Sequence, residues 1–157
     1  MRVRLLALGT RMPAWVEAGV TEYSRRLAGE IRLEIEEIGL PRRGSHVDTA
    51  TLVAREADAL RKRLAKYPGA ETIALEVTGR RLDTQRLARE LGNRRDLSQD
   101  LCILVGGPDG LCPVLSAECH QRWSLSDLTL PHPLVRILVA EQVYRAWTLL
   151  AGHPYHR

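Results

Sequence analysis

The chain has 157 residues, a length that suits one domain able to bury its apolar surface without disulfide or metal support. Hydrophobic residues make up 45% of it and charged residues 27%, and no apolar run approaches the roughly 18 residues of a membrane span, which excludes an integral membrane protein. The formal net charge of +4 is compatible with a polyanionic partner but is a weak signal alone.

The amino terminus predicts a strand and not an export signal. Residues 1–9 begin basic and continue apolar, but the apolar part is too short for a signal peptide and leads directly into a helical pattern. The cysteines are three, an odd number, which favours reduced thiols over disulfides. We therefore expect a cytoplasmic protein.

A surface helix is predicted to follow the first strand. Pro13 suits the start of a helix, and Val16, Val20, Tyr23 and Leu27 are spaced by four, three and four residues. This spacing places the four side chains on one face.

The next segments predict an edge strand, a connection and a second helix. Residues 31–38 alternate apolar and acidic side chains, as in an edge strand with one wet face. Residues 39–45 hold turn-forming residues and a basic pair, and a simple connection is favoured over a binding loop. Helical spacing then returns before a stop at residues 68–69, with its apolar positions at Val53, Ala57, Leu60 and Leu64.

The second half repeats the alternation with more apolar strands. Residues 72–77 and 101–105 are nearly continuous apolar runs, which belong inside a sheet that is covered on both faces. The remaining predicted elements are helices over 83–91, 114–119 and 133–150 and a brief strand over 123–126. The order predicts an α/β fold with a mainly parallel sheet and helices on both faces, in one domain over residues 1–157.

A glycine-rich turn, Val105-Gly106-Gly107-Pro108-Asp109-Gly110, follows the most apolar strand. Its glycines can adopt positive φ and let a ligand approach the backbone at the carboxyl end of the sheet, where α/β proteins bind ligands. The turn lacks both G-x-G-x-x-G and G-K-[ST], so a dinucleotide or nucleoside triphosphate site is disfavoured. A tight turn without a ligand explains the pattern equally well.

The carboxyl-terminal helix is apolar on more than one side, which suggests burial against both the sheet and a second subunit. The alternative is burial within one chain. The tail, residues 152–157, ends in aromatic, imidazole and guanidinium groups, yet a disordered tail is the favoured interpretation from sequence.

Five motifs together carry a resemblance. They are G-T-x-M-P-x-W-V from Gly9, L-V-G-G-P-D-G from Leu104, W-S-L-S-x-L-T-L-P-H-P-L-V-R from Trp123, E-Q-V-Y-R-A-W from Glu141 and H-P-Y-H-R from His153. In this order they resemble the bacterial ribosomal RNA large subunit methyltransferase H family of the SPOUT superfamily, over essentially the whole chain.

The resemblance implies transfer of a methyl group from S-adenosylmethionine to N3 of a pseudouridine. The target would lie in the helix 69 loop of 23S rRNA within assembled ribosomes, and the enzyme would be a homodimer with neither a membrane nor DNA as partner. It also implies a carboxyl-terminal trefoil knot, an exception to the usual absence of knots.

The resemblance further assigns site residues. Those expected at the cofactor are Leu75, Gly106, Gly107, Leu125, Ser126, Asp127, Leu128, Thr129 and Leu130. Those expected near the methyl group are His132, Arg136, Tyr155, His156 and Arg157, with the tail contributed across the dimer. A histidine is the natural acceptor of the N3 proton; alternatively an arginine stabilises the deprotonated base and solvent takes the proton.

No metal is expected, since Cys112, Cys119 and His120 lack paired zinc-ligand spacing. Two other functions stay open at this point. One is a non-catalytic module that binds rRNA during ribosome assembly, and the other is a SPOUT methyltransferase with another RNA target.

Overall fold

Five strands form one sheet in the computed structural model, which describes residues 1–27, 29–42 and 47–156, with the backbone alone at residue 156. The strands are β1 (Arg2–Leu8), β2 (Arg32–Ile38), β3 (Glu71–Arg81), β4 (Leu101–Val105) and β5 (Gln121–Ser124). Their order is β2-β1-β4-β3-β5, and every neighbouring pair is parallel. The predicted parallel sheet and the edge position of the acidic strand are both confirmed.

Helices cover both faces of this sheet, as predicted. On one face α3 and α5 pack against the sheet and α1 packs against α5, while α2 and α4 lie on the other. The helices are α1 (Ala14–Ser24), α2 (Thr49–Leu64), α3 (Thr84–Asp96), α4 (Pro113–Glu118) and α5 (His132–Leu150), followed by a 3-10 turn (Pro154–His156).

The alternation along β1 separates two hydrophobic cores. Val3, Leu5 and Ala7 face the core under α3 and α5, whereas Leu6 and Leu8 face the core under α2 and α4. Because β3 and β4 are interior strands of the sheet, they carry the nearly continuous apolar runs read from the sequence.

β3 continues to Arg81, beyond the predicted end at residue 77. Leu75 and Arg80 both pair with Trp123, so residues 76–79 bulge out of register between them. Gly79 permits the close return of the strand, since a Cβ there would lie 2.5 Å from the Trp123 carbonyl carbon. The bulge brings residues 76 and 77 to the wall of the site described below.

Some sequence expectations are not decided by the fold. Of the loop over residues 39–45, positions 43–45 lie outside the described residues. The trefoil knot stays a prediction, because strand order and register do not fix how the chain threads. Across residues 1–27, 29–42 and 47–156, no helix is long and apolar enough to cross a membrane.

Candidate active site

A cavity of about 500 Å³ opens at the carboxyl ends of β3 and β4. Three segments that are distant in sequence line it: residues 75–77, residues 105–111 and residues 124–132, with Val135 added from α5. The carboxyl end of a parallel sheet is where α/β proteins place ligands. The segments that the sequence analysis expected at a cofactor therefore meet at one cavity.

Most of the residues expected at the cofactor line this cavity, and one does not. The lining includes Leu75, Gly106, Gly107, Leu125, Ser126, Leu128, Thr129 and Leu130. Asp127 is the exception: its carboxylate is exposed and pairs with the Arg81 guanidinium at 2.6 Å. The Asp127 side chain therefore contacts β3 at the rim, and the assignment of Asp127 to the cofactor stays a prediction.

The glycine turn is required by packing. A Cβ on Gly106 would lie 2.4 Å from the Gly110 carbonyl carbon, and a Cβ on Gly107 would lie 2.6 Å from Glu56 Oε2. Of these three glycines only Gly110 has a positive φ, at +84°. The expectation that positive φ explains Gly106 and Gly107 is thus wrong, since the turn folds so tightly that side chains there would overlap neighbouring atoms.

Glu56 on α2 packs against the glycine turn, and this position was not predicted from the sequence. Its side chain is buried, and its carboxylate lies directly against Gly107 of the glycine turn. The sequence pattern predicts only apolar residues on the buried face of α2. Leu52 and Leu60, four residues before and after Glu56, are buried with it and were the available signal.

The loop that closes the cavity, residues 124–130, is braced by its own serines. Ser124 Oγ donates to the Ser126 carbonyl at 3.0 Å, and Ser126 Oγ accepts from the Leu128 amide at 3.0 Å. Such side-chain bonds fix a tight turn. Leu125 and Leu128 remain exposed at the rim, so the mouth of the cavity is apolar.

His132 is the first residue of α5 and lines the cavity. Its Nδ1 is buried and has no hydrogen-bond partner among the described residues. Buried polar atoms are nearly always paired in folded proteins, so an orphaned ring nitrogen at a cavity wall points to a missing partner molecule.

Arg136 lies one helical turn after His132 but faces a different part of the chain. Its Nη1 donates to Glu37 Oε1 at 2.5 Å, and its Nη2 donates to the Gly9 carbonyl at 2.7 Å. The side chain is 2% exposed and does not line the cavity. That Arg136 lies near the methyl group stays a prediction; in the described chain its guanidinium holds the loop after β1.

The described part of the tail packs against α5, contrary to the expected disorder. The Tyr155 ring meets Tyr144 edge-on at 4.7 Å, and Arg145 lies 5.2 Å from the Tyr155 centroid. Edge-to-face rings and cation–π contacts stabilise this arrangement.

Burial, then the hydrogen bond with Tyr23, raises the pKa of Tyr155 to about 12. Tyr155 does not line the cavity, and the His156 imidazole and Arg157 lie outside the described residues.

The whole chain matches known proteins. A family model described as "Predicted SPOUT methyltransferase" matches residues 1–156. Proteins named ribosomal RNA large subunit methyltransferase H from Alcanivorax borkumensis and Pseudomonas aeruginosa strain LESB58 are 62% and 54% identical, with 100% of both chains covered in each case. The chain belongs to the ribosomal RNA large subunit methyltransferase H family.

Solved structures support the SPOUT fold at low sequence identity. A probable methyltransferase from Bordetella pertussis aligns with a TM-score of 0.55 and 17% identity, covering 92% of this chain and 95% of that one. A tRNA (m1G37) methyltransferase from Aquifex aeolicus aligns with a TM-score of 0.51 and 16% identity, covering 92% and 70% respectively. These two similarities show a shared fold, and the family model identifies it as that of the SPOUT methyltransferases.

The cysteines of this family member sit in packed positions. Cys102 lies in the buried strand β4, and burial raises the pKa of its thiol to about 11. Cys119 Sγ donates to the Leu115 carbonyl at 3.4 Å. Within the part of the chain that the structure describes, no group of three or more His, Cys, Asp or Glu residues is placed to hold a metal ion.

Proposed function

We propose that this chain transfers a methyl group from S-adenosylmethionine to N3 of a pseudouridine in the helix 69 loop of 23S rRNA, acting on assembled ribosomes in the cytoplasm as a homodimer. The observation that carries the proposal is the convergence of three separate segments on one cavity, in a chain 62% identical to a ribosomal RNA large subunit methyltransferase H.

The cavity suits S-adenosylmethionine in size and chemistry. Its volume of about 500 Å³ lies within the range of roughly 300–1,000 Å³ typical of small-molecule sites. Leucines 75, 125, 128 and 130 form an apolar slot for adenine, and main-chain groups of the loop supply hydrogen bonds. The closely packed glycine turn leaves its backbone accessible to the ligand.

Methyl transfer to N3 is an in-line displacement at carbon. The bond from N3 to the methyl carbon forms as the sulfur–carbon bond breaks, and the N3 proton passes to a base. S-adenosylmethionine supplies the activated methyl group when bound. The chain must therefore align the two reactants and accept or disperse the proton, both of which depend on fixed geometry.

His132 is the candidate proton acceptor on the cavity wall. It stands at the first turn of the 19-residue α5, where the helix dipole produces a partial positive charge. That charge also favours the deprotonated base that forms during transfer. Arg136 contributes by holding the neighbouring loop, through its bond to the Gly9 carbonyl.

The tail would act from the second subunit. Tyr155 packs outside the cavity of its own chain, so it completes a site only if a partner subunit presents it. We assign His156 and Arg157 to the same site of the partner. Support for a dimer comes from exposed apolar side chains at the starts of two packed helices: Trp15 on α1 and Leu134 on α5. Exposed apolar surface of this kind is typical of subunit interfaces.

Two measurements test the proposal. Mass spectrometry of 23S rRNA from a deletion strain should show the helix 69 pseudouridine unmethylated, and complementation with this chain should restore the methyl group. Isothermal titration should show that the purified protein binds S-adenosylmethionine. RNA binding without S-adenosylmethionine binding would instead establish an assembly module, and a methyl group at another nucleotide would establish a different RNA target.

A further inference from the structure

Glu76 is the one acidic side chain among the described residues that line the cavity. It follows Leu75 directly, at the start of the bulge where β3 leaves register with β5. It has no role in the methyl transfer proposed above. A carboxylate only accepts hydrogen bonds, so an unpaired carboxylate oxygen at the cavity suits a hydrogen-bond donor of the ligand.

One carboxylate oxygen of Glu76 is held and the other is not. Ser116, a buried residue of α4, donates its hydroxyl to Oε2 at 3.0 Å. Oε1 lies 3.9 Å from Arg122 Nη1, which is too far for a hydrogen bond. Within the described chain, Oε1 accepts no hydrogen bond, so a fixed acceptor is left at the cavity.

We propose that Glu76 binds the ribose of S-adenosylmethionine, with Oε1 accepting hydrogen bonds from the vicinal hydroxyls. This rests on the proposed function, which places adenine against Leu75. In the ligand the ribose is bonded to adenine, and in the chain Glu76 directly follows Leu75. With adenine against Leu75, the ribose therefore lies close to Glu76. Carboxylates at the ends of parallel strands pair with ribose hydroxyls elsewhere for the same chemical reason.

Two cationic groups of the ligand, instead of the ribose, could attract a carboxylate. Each of them is present in a different set of related ligands. The α-ammonium is present in S-adenosylmethionine and S-adenosylhomocysteine but absent from 5′-methylthioadenosine. The sulfonium is present in S-adenosylmethionine alone. The ribose is common to all three, so the pattern of affinities across them identifies the group that Glu76 contacts.

The test is calorimetric titration of the full-length wild type and Glu76→Gln with these three ligands and with 2′-deoxy-5′-methylthioadenosine. Glutamine keeps the shape of glutamate and removes its charge. Glu118→Gln is the matched control, because Glu118 lies on α4 beside Ser116, pairs with Arg61 at 2.8 Å and does not line the cavity. Ser116→Ala releases the bond to Oε2. Circular dichroism confirms that each variant is folded.

In Glu76→Gln we expect affinity for the three ribose-containing ligands to fall by the same factor, about ten- to hundredfold. Wild type should bind 5′-methylthioadenosine more tightly than its 2′-deoxy form, and Glu76→Gln should lose that preference. Ser116→Ala should show a weaker version of this pattern, and Glu118→Gln none of it. Unchanged 5′-methylthioadenosine affinity, or a loss confined to S-adenosylmethionine, would overturn the proposal. Failure of the wild type to bind S-adenosylmethionine would instead overturn the proposed function.

Discussion

Arg136 on α5 and Glu37 on β2 form an ion pair that closes the end of β1. Arg136 Nη1 lies 2.5 Å from Glu37 Oε1, while Glu37 Oε2 accepts from the Arg11 amide at 3.2 Å. Arg11 has a φ of 60°, a left-handed conformation that is uncommon for a non-glycine residue. One carboxylate therefore links α5 to the loop that follows β1, beside the cavity.

Replacing Arg136 with alanine should lower the free energy of unfolding, and any loss of methylation should follow from that lower stability. Arg136→Ala leaves the Gly9 carbonyl without its buried donor, which typically costs about 1–3 kcal/mol, whereas Glu37 is 36% exposed and can be solvated. Urea unfolding at one fixed protein concentration measures this. The control Arg86→Ala removes a guanidinium that is 61% exposed and should change the free energy of unfolding by no more than about 0.5 kcal/mol. Equal stabilities of the two variants would contradict the structural role.

Gly106→Ala should block the glycine turn. The added Cβ meets backbone atoms of Gly110 and Leu111, which cannot rotate away as a flexible side chain could. We expect a loss of about 1–3 kcal/mol in the free energy of unfolding and a loss of S-adenosylmethionine binding. Gly39→Ala is the control, because a Cβ at Gly39 meets nothing within 4 Å. Wild-type affinity in Gly106→Ala, measured by calorimetry, would refute this account of the turn.

The sequence predicts the buried strand β4 well because a continuous run of apolar residues marks it. β4 begins and ends at the predicted residues, Leu101 and Val105, since both of its faces are covered and all five side chains are apolar. The sequence did not predict the end of β3, because the polar residues Arg80 and Arg81 are more typical of a loop. Their strand conformation depends on pairing with Trp123 and Ser124.

A charged residue in a buried position explains the different end of α3. α3 continues to Asp96, past the predicted end at residue 91. Its last turns bury Arg94, which donates to both carboxylate oxygens of Glu71 at 2.8 and 2.7 Å. A buried arginine looks polar in sequence, and only the tertiary partner reveals that it faces inward.

The candidate site was also predictable only in part. Two of the three segments at the cavity, residues 105–111 and 124–132, were recognisable as motifs, and Leu75 was assigned through the resemblance. The orientations of Arg136 and Tyr155, in contrast, depend on partners from other elements. Glu56 and Glu76 belong to no motif, and their positions became visible only when the chain was folded. Residue types mark where a site lies, but side-chain direction is set by packing.

The Tyr155 phenol should remain protonated well above neutral pH. Its pKa is raised from 10.0 to about 12, chiefly by burial. The folded state therefore holds the phenolic proton more tightly than the unfolded chain does. The stability that this contributes is fully present below pH 10 and is lost as the pH rises from 10 to about 12. Spectrophotometric titration of wild type minus Tyr155→Phe should show a midpoint near the higher value; a midpoint near 10 would contradict the packing described.

Deleting residues 155–157 should separate binding from catalysis. Tyr155 does not line its own subunit's cavity, so S-adenosylmethionine affinity should stay near that of wild type in calorimetry. Methylation of unmodified ribosomes should be abolished, because the tail is proposed to complete the partner's site. Retained turnover would refute the role assigned to the tail, and lost affinity would show that the tail supports the cavity itself.

The most direct test of the central claim is a crystal structure of the chain with S-adenosylmethionine. The account predicts electron density for the ligand in the cavity at the ends of β3 and β4, with adenine beside Leu75 and the backbone of Gly106 within contact distance. Density at another place on the molecule, with this cavity filled only by solvent, would contradict it.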